Sequence, residues 1–227
     1  MTFEEKEQPE QASIVKLTLS EQIYERLKAD IINHRIGFGE KLVNRELQQI
    51  FGVSSTPVRD AINHLYVDGL LENITNGGAR VISFDVSLAL EVNEVVKILS
   101  QGALTSLAKR GKLGELYPVL NRLLQQQEKV KTMDDYIVLD RQFHQAVFDA
   151  CGNRHLSATY RRYTVLFEML VRMSRSGRAD FRDSTEEHRK ICDCCRREDF
   201  PGLIREIELH YQSASDWFIK NASLFEA

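Results

Sequence analysis

Apolar residues recur along most of this chain at the three- and four-residue spacing of a single helical face, and alternating stretches are scarce. Residues 19–34 place Ile23, Tyr24, Leu27 and Ile31 on one face, with Ser20 as the expected N-cap. A second helix is expected over 44–51, ended by Gly52. A third carries Val58, Ala61, Ile62 and Leu65 and should run to about Asp68, before Gly69. Thr56 is its expected N-cap and Pro57 its first residue, since proline has no N–H to leave unpaired there and its φ is already helical. The runs LLENI and ARVISF then flank Thr75-Asn76-Gly77-Gly78, a hairpin signal.

Helix, helix, tight turn, helix, hairpin is the order of a winged helix-turn-helix. A boundary is expected near Ser83–Ser87. Beyond it six helical patterns follow with short links: Val86–Arg110, Gly114–Val130, Asp134–Ala150, Asn153 to about Ser174, Asp180–Arg197 and Pro201–Asn221. Short links favour antiparallel neighbours, so these six should pack as an antiparallel bundle. The expected fold is mainly α. A disordered tail (1–15) precedes a winged helix-turn-helix domain (16–84) and an all-α domain (85–227).

Charge changes this picture little. The chain has a formal net charge of −3, and the stretch from Lys16 to Arg80 holds eight basic and eight acidic residues. A nucleic-acid-binding face must therefore come from arrangement and not from bulk charge. No apolar run approaches membrane-spanning length, and the first residues, MTFEEKEQPEQAS, are too polar and acidic for a secretion signal. A cytoplasmic location without membrane contact is the expectation. Cys151, Cys192, Cys194 and Cys195 lack the spacing of a disulfide or zinc framework, so reduced thiols are expected.

Two constellations carry chemistry. The first is the tip of the third helix, where the hydroxyls of Ser54, Ser55 and Thr56 gather with the Arg59 guanidinium. Helix tips of this kind bind phosphates and reach base edges. Asn63 and His64 lie further along the same helix as additional contacts. The second is an aspartate with three histidines. Asp140 and His144 are four residues apart and share one helical face. His188 and His210 each lie eleven residues from Asp199, at the turn between the last two helices, so an antiparallel pairing sets them at one height. Singly, each histidine is more readily a packed or surface residue. Together they suggest a site for a divalent transition metal such as Zn, Ni, Fe or Mn.

Residues 17–82 resemble the GntR family of bacterial transcription regulators. The family pattern VSRTPVREAL stands here as Val53-Ser54-Ser55-Thr56-Pro57-Val58-Arg59-Asp60-Ala61-Ile62, followed by Gly69-Leu70 and the wing glycine Gly78. The resemblance implies DNA contacts from Arg45, Ser54, Ser55, Thr56 and Arg59, and from Asn76 and Gly77 in the wing. Two positions depart: Ser55 replaces an arginine, and Gly77 replaces a basic residue. Serine cannot make the bidentate contact by which arginine reads guanine. The rest of the chain resembles the FCD effector domain, in its shorter VanR-like form. That resemblance implies that Asp140, His144, His188 and His210 ligate a metal and that a small organic acid binds there. It also implies effector contacts near Lys97, Gln101 and the Gly152-Asn153 turn. A homodimer on a palindromic double-stranded operator follows from the symmetry such readers use. A regulator and not an enzyme is the resulting expectation. The alternative from another class is a metal-dependent hydrolase built on the Asp/His site.

Overall fold

A computed structural model gives the structure of the protein and describes residues 17–74, 78–176 and 182–225. The expected tail (1–15) and the wing residues Asn76 and Gly77 lie outside the described residues, as do Gly177 and Asp180.

The first helix, α1 (Leu19–Ile32), is capped two residues earlier than expected. Thr18, not Ser20, is the N-cap. The Glu21 N–H donates to Thr18 Oγ1 at 3.2 Å, and the Thr18 N–H donates to Glu21 Oε2 at 2.7 Å. This reciprocal pair satisfies two orphan donors at once, which Ser20 has no partner to do. Helix α2 (Asn44–Phe51) ends at Gly52 with φ 65°. Helix α3 (Ser55–Val67) begins with Ser54 in the cap position, so Thr56 and Pro57 lie inside its first turn. The correction costs no hydrogen bond, because the first-turn N–H groups have no intrahelical acceptor and proline merely lacks one of them.

The hairpin forms as β2 (Leu71–Ile74) and β3 (Gly78–Val81), antiparallel, with Leu71 opposite Val81 and Ile74 opposite Gly78. A two-residue strand, β1 (Lys41–Leu42), pairs with the other edge of β3, so the order is β1-β3-β2. Leu27, Ile31, Val58, Ala61, Leu65, Leu70 and Val81 close the core of this part.

Six helices follow: α4 (Val86–Lys109), α5 (Leu113–Gln127), α6 (Met133–Ala150), α7 (Arg154–Ser176), α8 (Arg182–Arg196) and α9 (Phe200–Lys220). Among the described residues, four start on acceptor side chains: Asp85 for α4, Thr132 for α6, Asn153 for α7 and Asp199 for α9. Helix α4 packs on α7 and α9, α5 on α6 and α8, α6 on α7, and α8 on α9. His144 of α6, His188 of α8 and His210 of α9 come together in the interior. Phe148 stacks on Tyr160 at 3.9 Å between ring centroids, and Tyr136 and Tyr160 are fully buried. All four cysteines are buried and unbridged. Among the described residues, no helix is long and apolar enough to cross a membrane.

Candidate DNA interface and metal centre

Between β1, the start of α2, α3 and the hairpin lies an open groove of about 630 Å³. Arg45 and Arg59 line it from two different helices, and Lys41 lines it from β1. These three cations are exposed and form no ion pair among the described residues. Arg26 and Arg35, which do not line the groove, are both held by Asp30, at 2.8 and 2.5 Å. A neutral segment therefore still presents a positive groove, because its neutralised cations and its free ones are segregated. Tyr66 ties the groove's two walls together by donating to the Gly78 carbonyl at 3.2 Å.

Ser54, Ser55 and Thr56 are exposed at the α3 tip. The Ser55 hydroxyl donates to Asn44 Oδ1 at 3.2 Å, which joins the starts of α2 and α3. His64 does not share the groove: its ring stands edge-on to Tyr24 of α1, 5.7 Å between centroids. That position follows from helical geometry, since residue 64 lies well round the helix from the face holding 59 and 63. Asn63 does line the groove. Lys41, Tyr66 and Asn73 also line it and went unread in the sequence, Lys41 because β1 is too short to show a period.

The second site lies inside the bundle. Asp140, His144, His188 and His210 are 3%, 3%, 0% and 8% exposed. Asp140 Oδ1 lies 3.8 Å from His188 Nε2, and Oδ2 lies 4.0 Å from His144 Nε2. Neither separation is a hydrogen bond. Both suit two ligand atoms bound to one ion, since bonds of about 2.1 Å put neighbouring ligands roughly 3–4 Å apart. One ligand atom from each histidine lies within 4.8 Å of the others.

The outer ring nitrogens are held from behind. His188 Nδ1–H donates to Gln127 Oε1 at 2.9 Å, and His210 Nδ1–H donates to Glu187 Oε2 at 2.8 Å. Both acceptors fix the tautomer that leaves Nε2 as a lone-pair donor, the usual support of a metal-bound imidazole. His144 Nδ1 is 3.5 Å from the Tyr211 hydroxyl, which pairs with Ser100 Oγ at 2.9 Å. Burial pushes the Tyr211 phenol far above its ordinary range, so it stays neutral. Phe143 stacks on the His188 ring at 4.0 Å. Asp140 Oδ1 is buried without a hydrogen bond among the described residues. A buried carboxylate oxygen left so is costly, and a divalent ion would satisfy it. The donor set fits such an ion.

A small cavity of about 50 Å³ opens against Asp140, His144 and His210. Asn93, Ser184 and Tyr211 give it polar groups, and Phe167, Val171, Trp217 and Phe218 give it apolar walls. Trp217 and Phe218, near the end of α9, are thus part of the pocket. The expected effector residues are elsewhere. Lys97 Nζ lies 3.0 Å from Glu208 Oε1, and Gln101 Nε2 donates to Glu208 Oε2 at 2.7 Å. That grip, Lys97 first, lowers the Glu208 carboxyl pKa and holds both side chains on the α4–α9 surface. Asn153 Oδ1 accepts from the N–H groups of His155 and Leu156, at 3.1 and 3.2 Å, and caps α7. Cys192 and Cys195 are core residues and do not line the pocket.

The description "Bacterial regulatory proteins, gntR family" matches residues 19–81, and "FCD domain" matches residues 91–213. The chain belongs to the GntR family of transcription regulators, with an FCD effector domain. It is 29% identical over 199 residues to the HTH-type transcriptional regulator YdhC of Bacillus subtilis, covering 84% of this chain and 86% of that one. It is 23% identical over 200 residues to the HTH-type transcriptional repressor RspR of Escherichia coli, covering 87% and 88%. The structure of McbR/YncC from E. coli superposes with a TM-score of 0.66 at 21% identity, over 93% of this chain and 99% of that one. A GntR regulator structure from Rhodococcus gives 0.67 at 13% identity, over 89% and 98%. The fold is the expected one: a winged helix-turn-helix followed by a helical FCD domain. Nothing in the family or these relatives supports a hydrolase.

Proposed function

We propose that this regulator binds a palindromic DNA operator as a cytoplasmic homodimer and is released or retained by a small carboxylate bound at a metal centre. Residues 16–84 serve as the DNA-reading domain and residues 85–227 as the sensing and dimerising one. The observation that carries the sensing half is the convergence of Asp140, His144, His188 and His210, with the backs of two rings held by Gln127 and Glu187. These four would hold a divalent transition ion (Zn, Ni, Fe or Mn). Such an ion, when bound, supplies affinity for a carboxylate oxygen. The protein's own residues do the rest. Asn93, Ser184 and Tyr211 orient the acid, while Trp217, Phe218 and Phe167 exclude water from its body.

The pocket is formed by α4, α6, α7, α8 and α9, and α4 leads directly from the hairpin through Phe84 and Asp85. A shift of α4 on ligand binding would alter the spacing of two recognition helices in a dimer. A coupling of about 1–3 kcal/mol is sufficient to change operator affinity 5- to 150-fold. The relatives named as repressors favour repression as the direction.

The test is DNA affinity on a site selected from random duplexes, measured with metal-loaded and chelator-treated protein across a panel of small carboxylates. At least one acid should shift the affinity of the loaded protein and leave His188→Ala unaffected. Binding that no acid alters, with or without metal, would overturn the sensing half of the proposal.

A further inference from the structure

The departure at Ser55 raises the question of what reads bases in this groove. Ser55 is short and engaged with Asn44, and Asn44 also accepts from Gln48. His64 is turned onto Tyr24. Of the polar side chains on α3 beyond Arg59, Asn63 is the one that faces the groove as a planar amide. It is exposed and makes no hydrogen bond among the described residues.

We infer that Asn63 reads an adenine, and that Arg59 and Asn63 together set the sequence preference of the half-site. This rests on the DNA-binding reading proposed above. A carboxamide offers one donor and one acceptor side by side, which matches N6 and N7 of adenine in the major groove. A guanidinium matches O6 and N7 of guanine. Arg59 and Asn63 lie four residues apart on one face, about 6 Å along the helix. Base pairs stack roughly 3.4 Å apart, so the two side chains reach pairs about two steps apart. The half-site should therefore carry a guanine and an adenine separated by one base pair. Arg45 and Lys41 flank this reading edge as phosphate partners, which position the protein without sequence preference.

The test is selection from a random duplex library with the full chain, the wild type beside Asn63→Ala, Asn63→Gln and His64→Ala. The wild type should return the guanine and the A·T pair at that spacing. Asn63→Ala should keep the guanine, lose the A·T preference and bind the wild-type site about 5- to 150-fold more weakly. Its affinity for unselected duplex should be unchanged, since asparagine carries no charge to neutralise phosphate. Glutamine has the same amide pair, so Asn63→Gln should retain the A·T preference. His64→Ala should select the wild-type motif. An unchanged motif in Asn63→Ala would overturn the inference while leaving the DNA-binding reading intact. A wild-type chain that binds no duplex at low salt would overturn both.

Discussion

His188 is held between Gln127 and Asp140: Nδ1 lies 2.9 Å from the Gln127 side-chain oxygen, and Nε2 lies 3.8 Å from the Asp140 carboxylate. The glutamine comes from α5, a helix that contributes no ligand. It is fully buried, and its side-chain oxygen serves to aim the ring. Gln127→Ala should therefore weaken metal binding by about 10- to 100-fold without unfolding the bundle. Competition against a chelator of known affinity measures it. A change below about twofold would show that Phe143 stacking alone orients the ring.

Arg59 should behave as a charge as well as a reader. Its guanidinium is exposed and forms no ion pair among the described residues, beside Arg45 and Lys41. Arg59→Ala should weaken DNA binding. If it touches one phosphate, the salt slope should fall by about 0.9. Titrations at four salt concentrations would check this. Equal affinity and equal slope would remove Arg59 from the interface.

Gly69 joins α3 to the hairpin at φ +74°, and a Cβ built there would lie 3.3 Å from Leu166 Cδ1 of α7. A left-handed backbone costs a non-glycine residue about 1–2 kcal/mol. Gly69→Ala should lower unfolding free energy by at least that amount in a denaturant titration, and Gly69→Asn by less. A neutral alanine would mean that the backbone relaxes freely at this junction.

The cysteines of α8 should be inert. Desolvation pushes the thiols of Cys192 and Cys194 up, and that of Cys195 up to about 12. Because the folded pKa values are raised, the native state holds these protons after the unfolded chain has released them. Their contribution to stability is full below the free-thiol pKa of about 8.5 and is lost progressively as pH rises above it. Thiol reagents at pH 7.5 should modify these three over hours in the native protein and at once in guanidinium. Rapid native modification of any of the three would contradict the burial.

The helices were legible because each buries one face, and that face repeats at helical spacing. Their ends were less so. Thr56-Pro57 looks like a helix start, yet the backbone turns helical already at Ser55, since nothing in the first turn needs an N–H. The Thr18–Glu21 pair outcompetes Ser20 through a bond between side chain and backbone that periodicity does not register. Strand β1 exists only because β3 offers it an edge. At the candidate metal centre, the i,i+4 spacing of Asp140 and His144 and the mirrored places of His188 and His210 foretold their convergence. Gln127 and Glu187 could not be foreseen, because their role depends on which faces of α5 and α8 meet the rings. Lys97 and Gln101 were sought in the pocket by resemblance, but Glu208 on α9 draws both to the surface. The pocket wall instead comes from Trp217 and Phe218, whose spacing is that of ordinary core residues.

The most direct measurement is elemental analysis of the purified protein beside His188→Ala. The account predicts close to one divalent transition ion per chain in the wild type, and loss of it in the variant. Wild-type protein that takes up no Zn, Ni, Fe or Mn even after incubation with each would contradict it. The four residues would then be a polar core, and the effector would have to be recognised without a metal.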